Sequence, residues 1–159
     1  MQEVILADAL AWDRKGGRGA PLNGVQAALA NTKLFALCSK RELHKVAKIA
    51  KIRKIPKGTR LMNEGDDAET MFAILYGVAR VSRNNRKVAT LGAGDVVGEL
   101  AVLGRTKRNA TVDAESDLEV AELSRRALAK MIADVPSFSQ KLLESLAGRV
   151  RDLDTKAVS

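Results

Sequence analysis

Gly98-Glu99-Leu100-Ala101-Val102-Leu103-Gly104-Arg105-Thr106-Lys107-Arg108-Asn109-Ala110-Thr111-Val112 sets an acid, Glu99, nine positions ahead of an arginine, Arg108, in a loop that opens on glycine. Gly98 lets the backbone take a positive φ or approach a ligand closely, and Glu99 to Leu103 is long enough for one helical turn. Such a turn points free N–H groups at an anion. Arg108 adds a fixed cationic fork suited to phosphate oxygens, while ionised Glu99 accepts hydrogen bonds and suits hydroxyls. A phosphate and a sugar hydroxyl on one molecule point to a nucleotide.

On both sides of this loop the chain reads as short strands. Arg60-Leu61-Met62, Met71 to Leu75, Ala79 to Arg83 and Lys87 to Leu91 alternate or run apolar, and Gly58, Gly65, Gly77, Asn84-Asn85 and Gly92 cut them apart. Two more follow, around Ala110 to Ala114 and Leu118 to Leu123. Regular spacing of this kind predicts an α+β chain built on an antiparallel eight-stranded β-roll or jelly-roll, with helices before it and two after it.

The helical period governs the two ends. Residues 25 to 50 step helically, with Ser39 as N-cap, Glu42 completing a capping box, and Leu43, Val46, Ala47 and Ala50 on one face. Ser124 caps a helix to about Ala133, Asp134-Val135-Pro136 breaks it, and Ser137 is expected to cap a last helix to about Asp154. In that helix Leu143, Leu146, Val150 and Leu153 make a narrow apolar seam that Leu142 widens, for packing on the barrel, for a homodimer or for a lid. Residues 13 to 24 have the Gly, Pro and charge content of a linker, so the domains are set at 1–24 (N-terminal segment and linker), 25–154 (the folded domain) and 155–159 (tail). Val4, Ile5, Leu6, Leu10 and Trp12 precede the linker as an amphipathic stretch that packs back or meets a partner.

Composition narrows the function classes. The chain has 159 residues, 46% hydrophobic but only 3% aromatic, so its core is aliphatic with Phe35, Phe72 and Phe138 as anchors. Its net charge of +8 comes from one window: nine basic residues lie between Lys40 and Arg60 against one acid, Glu42, and the rest of the chain is neutral. A patch like this docks an acidic partner, nucleic acid or an anionic membrane, or else is a solvated face. One cysteine, Cys38, and one histidine, His44, exclude an internal disulfide and argue against a zinc site, a Cys/His nucleophile pair or a serine triad. No enzyme, metal or cofactor is expected. With no signal peptide pattern and no apolar run of spanning length, the expected location is the cytoplasm.

Taken together, Glu64-Gly65-Asp66, Gly77, Gly92-Ala93-Gly94-Asp95 and the pairing of Gly98-Glu99-Leu100-Ala101 with Arg108-Asn109-Ala110-Thr111-Val112 resemble the cyclic-nucleotide-binding domain family. The likeness runs from about Leu34 to Leu153, and the loop is similar to that family's phosphate-binding cassette. The resemblance implies that Arg108 pairs with a cyclic phosphate and that Glu99 accepts from the ribose 2′-hydroxyl. Backbone amides around Leu100, Ala101 and Ala110 complete the cradle, and Gly98, Asn109 and Thr111 belong to the same ligand-binding set. Asn109 departs from the pattern, which has Ala in cyclic-AMP-selective kinase sites and Thr or Ser where cyclic GMP is favoured. Cyclic AMP is the preferred ligand, with cyclic GMP as competitor. Arg149 looks like the arginine with which channel domains contact the base, and Val150 and Leu153 are apolar alternatives for that cap.

The expected function is thus a cyclic-nucleotide sensor, either stand-alone or cut from a larger protein. The ligand would draw the last helix over the base as a lid, and the terminal helices would meet a protein partner. The competing expectation is a ligand-free interaction protein on the same fold, docking an acidic partner, nucleic acid or membrane through the 40–60 patch.

Overall fold

One of the predicted strands, Met71 to Leu75, reads as a continuous apolar run because it is buried on both faces. The computed structural model describes the backbone of residues 22–158 and the side chains of residues 24–148. Residues 1–21, with Trp12 and most of the expected linker, lie outside the described residues. In chain order the elements are α1 (Leu22–Ala30), α2 (Lys40–Ile49), β1 (Lys51–Ile55), β2 (Arg60–Met62), β3 (Thr70–Tyr76), β4 (Ala79–Arg83) and β5 (Arg86–Leu91). They continue with β6 (Val96–Val97), α3 (Glu99–Gly104), β7 (Thr111–Ala114), β8 (Leu118–Ser124), α4 (Arg125–Asp134) and α5 (Pro136–Val158).

The strands form two four-stranded sheets, β1-β8-β3-β6 and β2-β7-β4-β5, with every pair antiparallel. This is the α+β roll expected from the sequence. On β3, Phe72 and Ile74 turn toward the second sheet, where they meet Ile55, Met62, Ala79, Val97, Val112, Leu118 and Val120. The alternate residues Met71, Ala73 and Leu75 face the helices, in a cluster with Leu29, Phe35, Val46, Leu123, Leu128 and Phe138. Period-two alternation therefore serves two cores at once. Phe35 and Phe138 stack with ring centroids 6.2 Å apart, so the aromatic anchors tie the segment before α2 to α5.

The helix caps follow the sequence at two of three sites. The Ser39 hydroxyl accepts from the Glu42 N–H at 3.2 Å, and the Glu42 carboxylate accepts from the Ser39 N–H at 2.7 Å. The Ser124 hydroxyl accepts from the Ala127 N–H at 3.1 Å. Ser137, however, is not a cap: α5 begins at Pro136, whose fixed φ and missing N–H suit a first helical position. The Ser137 hydroxyl donates instead to Glu42 Oε2 at 2.6 Å. The packed stripe of α5 is likewise shifted. Phe138, Leu142 and Leu146 pack on the helical core, whereas Leu143 is 67% exposed. α1 takes in Leu22, Asn23 and Gly24, which composition assigned to the linker, and α5 continues past Asp154 to Val158. No helix among the described residues is long and apolar enough to cross a membrane.

Candidate functional site

Between β6 and β7 the chain makes a short helix and then a strap, and both are fixed from outside. Gly98, at φ 83°, is the N-cap of α3, and the Val102 N–H to the Gly98 carbonyl, 3.2 Å, is that helix's first turn closed. Arg105 ends α3 in the left-handed conformation at φ 55°. The strap that follows lies along the turn after β2: the Arg108 N–H donates to the Asp66 carbonyl at 2.8 Å, and the Gly65 N–H donates to the Arg108 carbonyl at 2.9 Å. Asp67 and Lys107 form a bridge and an ion pair beside it. The Arg108 backbone is therefore held on both sides.

Its side chain turns inward. Arg108 Nη2 donates to the Thr70 carbonyl at 2.6 Å and to Thr70 Oγ1 at 3.3 Å, and the residue is only 6% exposed. Nη1 is buried and finds no hydrogen-bond acceptor among the described residues. A Cβ added at Gly98 would stand 2.5 Å from that Nη1 and 3.0 Å from Met62 Cε, so the guanidinium passes where only glycine leaves room. Burial and the nearby Arg125 push the Arg108 pKa down from its ordinary value, while Asp66 and Glu69 oppose them. A buried cationic donor without an acceptor is an open hydrogen bond, costly until an anion fills it.

Arg108 lines a cavity of ≈ 140 Å³ between the two sheets, together with Gly98, Glu99, Leu100, Ala101, Asn109 and Ala110. Met62, Val81, Leu91, Val96, Val97 and Val112 supply its apolar walls. Glu99 is 4% exposed, an acid enclosed in the same wall as the arginine. Larger hollows lie elsewhere, of ≈ 480 Å³ between α2 and α4 and ≈ 500 Å³ near Tyr76 and Gly77. Chemistry rather than volume marks the smaller one.

The decisive comparison is with families of known sequence. The profile described as Cyclic nucleotide-binding domain matches residues 52–135, more than half of the chain, from β1 through the loop to the end of α4. The chain belongs to the cyclic nucleotide-binding domain family. It is 27% identical over 123 residues to the cAMP-dependent protein kinase type II regulatory subunit of Drosophila melanogaster, covering 77% of this chain and 33% of that one. It is 29% identical over 107 residues to the Cyclic AMP receptor protein of Thermus thermophilus, covering 64% and 50%. The chain thus spans a third to a half of these relatives. Among solved structures, a cyclic nucleotide-binding domain from Methylobacillus flagellatus superposes with a TM-score of 0.70 at 27% identity, covering 82% of this chain and 79% of that one.

Within this cyclic nucleotide-binding domain, the structure brings together seven of the eight loop residues singled out in the sequence. Thr111 is the exception: it does not line the cavity, and its hydroxyl accepts from the Glu64 N–H at 3.0 Å, on the outer side of β7. The base-cap residues Arg149, Val150 and Leu153 fall on α5, but their side chains lie outside the described residues. No residue of α5 up to Gly148 lines the cavity. Sequence reasoning missed one polar wall residue, Arg83, at the end of β4. Its Nε donates to the Asn109 carbonyl at 3.1 Å. Period-two counting along β4 from buried Ala79 through Val81 is the signal that finds it. Among the described residues no cluster of His, Cys, Asp and Glu is placed to hold a metal ion.

Proposed function

We propose that this domain is a cytoplasmic sensor of cyclic nucleotides, with residues 25–154 as the binding unit and cyclic AMP favoured over cyclic GMP. The observation that carries the reading is the buried, unfilled Nη1 of Arg108 in the wall of a cavity that also holds a buried carboxylate, Glu99. An anionic cyclic phosphate fills the arginine, and a ribose hydroxyl donates to Glu99. Relatives named for cyclic AMP support the choice of ligand.

A cavity of ≈ 140 Å³ is smaller than the roughly 300 Å³ at which small-molecule pockets begin, so the base extends beyond it. Arg149, Val150 and Leu153 are the residues proposed to cover that base as α5 swings in. The closing is a population shift driven by the ligand's higher affinity for the closed state. Output passes to a protein partner through the terminal helices.

Titration calorimetry with cyclic AMP and cyclic GMP tests the reading. Binding tighter than about 1 mM, equivalent to roughly −4 kcal/mol, is expected, with a loss of about 100-fold in Arg108→Ala. If neither nucleotide binds at that level the sensor reading fails; if Arg108→Ala binds like the wild type, the assignment of the phosphate contact fails. The competing reading, an interaction protein, is favoured by the nine exposed cations between Lys40 and Arg60, of which Arg53 and Arg60 pair with Glu122 and Asp113. Vesicles of phosphatidylserine and duplex DNA at about 50 mM salt separate a docking patch from a solvated face.

A further inference from the structure

Two arginines face one small cavity. Arg83 and Arg108 both line it, and Glu99 is the carboxylate in its wall. Arg83 is the anomaly of the pair, because β4 alternates and the residues on its face, Ala79 and Val81, belong to the apolar packing between the sheets. At the rim that row becomes cationic. Among the described residues no carboxylate pairs with Arg83, and its one hydrogen bond leaves from Nε to the Asn109 carbonyl. The nearby acids are occupied: Glu64 Oε1 accepts from the Asn84 N–H at 3.0 Å, and Asp113 pairs with Arg60.

Both arginines also hang from one turn. The Glu64 side chain holds the tip of the β4–β5 hairpin through Asn84, whose φ is 51°, and the Gly65 N–H holds the Arg108 carbonyl. Residues 64 and 65 thus hold the backbone next to Arg83 and the backbone of Arg108.

We infer that Arg83 is a second phosphate contact of this site, its guanidinium steadied at Nε by the Asn109 carbonyl and offering its Nη donors to the exocyclic phosphate oxygen that Arg108 does not cover. The inference rests on the cyclic-nucleotide reading of the cavity. A cyclic phosphodiester has two exocyclic oxygens sharing one charge, and each arginine takes one of them. The Asn109 backbone then serves the phosphate side of the site through its carbonyl.

Calorimetry on the full chain with cyclic AMP and with the Rp and Sp phosphorothioate analogues of cyclic AMP tests this, using wild type, Arg83→Gln and Arg83→Lys. Arg83 is exposed at a strand end, and thermal melts check that the variants fold. Arg83→Gln is expected to weaken cyclic AMP about tenfold, and Arg83→Lys to recover part of that. The ratio of Kd values for the two diastereomers must also change in Arg83→Gln, since only one of them sets sulfur against Arg83. An arginine that merely props up the Asn109 carbonyl weakens both analogues by one factor and leaves the ratio unchanged, which overturns the proposal, as does unchanged cyclic AMP affinity. Should wild type bind no cyclic nucleotide, the sensor reading fails first and the phosphate contact with it, a result distinguishable before any variant is made.

Discussion

Arg108 and Glu42 are both buried charges, 6% and 3% exposed, yet they are finished differently. Every near side of Glu42 is filled: Oε1 accepts from the Ser39 N–H and from Lys141 Nζ at 2.5 Å, and Oε2 accepts from the Ser137 hydroxyl. These bonds join the start of α2 to the start of α5. Arg108 satisfies one nitrogen on Thr70 and leaves the other without an acceptor. A buried charge with its partners complete is a joint, while one left incomplete beside a cavity keeps a donor open to whatever enters that cavity.

The contrast is sharpest if the two residues fail in opposite assays. Arg108→Ala is expected to abolish most cyclic nucleotide affinity while leaving the melting temperature within a few degrees, because the change also removes an unfilled donor. Calorimetry and a thermal melt on the same sample check both halves. Glu42→Ala should do the reverse, costing about 2–4 kcal/mol by stranding Ser137 and the Ser39 N–H and removing the partner of Lys141. Its melting point should fall by about 5–12 °C with little change in Kd; a large loss of affinity in the folded variant would mean that the joint belongs to the site.

Gly98→Ala probes the boundary between the two behaviours. The added methyl meets Arg108 Nη1 at 2.5 Å in a backbone of positive φ, so both stability, by about 1–2 kcal/mol, and affinity should drop. A variant with full affinity would show that the guanidinium does not need its place over Gly98.

Acid separates the regions next. Burial raises the Glu42 pKa, but the Lys141, Ser137 and Ser39 bonds outweigh it and lower the value from 4.5 to about 2. A carboxyl depressed on folding contributes fully above its unfolded pKa and loses that contribution as pH falls through the folded one. Melting temperature should therefore decline between about pH 4.5 and 2 in wild type, and less steeply in Glu42→Gln. The smallest effect concerns Cys38, beside the same joint. Burial first, then the Glu42 charge, raises its thiol to about 11, with Lys141 opposing. Labelling by a thiol-selective disulfide reagent at pH 8 should be slow in the native protein and fast in denaturant; fast native labelling would mean the joint opens readily.

The two regions also differ in how far the amino-acid sequence announces them. The capping box at Ser39 and Glu42 is local, three residues apart, and was legible as a pattern. Its tertiary half was not: Ser137 and Lys141 stand 95 and 99 residues from Glu42, and nothing in the spacing of α5 marks them as partners. By sequence alone Ser137 fits the role of a cap, since a serine after a helix-breaking proline suits that position when the first turn is judged by itself. The same limit explains Leu143: a 3-4-3 seam identifies an amphipathic helix but not the angle at which it meets its neighbours, and rotating that face by one position buries Leu142 in its place. In the loop after β6, the positive φ of Gly98 and the shared cavity wall of Glu99 and Arg108 were legible because one short segment carries all three. Thr111 was not, because a threonine that lines a cavity and one that caps a neighbouring turn have the same neighbours in sequence.

Residues 68–70 have one further consequence. The Thr70 carbonyl receives Arg108 from the cassette, while the Ala68 carbonyl receives the guanidinium of Arg125, and the Arg125 N–H donates to the Glu69 carbonyl at 2.8 Å. Arg125 is the first residue of α4. Three consecutive residues are thus a shared mooring for the buried arginine of the cavity wall and for the root of the C-terminal helices, so that neither can be re-berthed without tugging on the other's line.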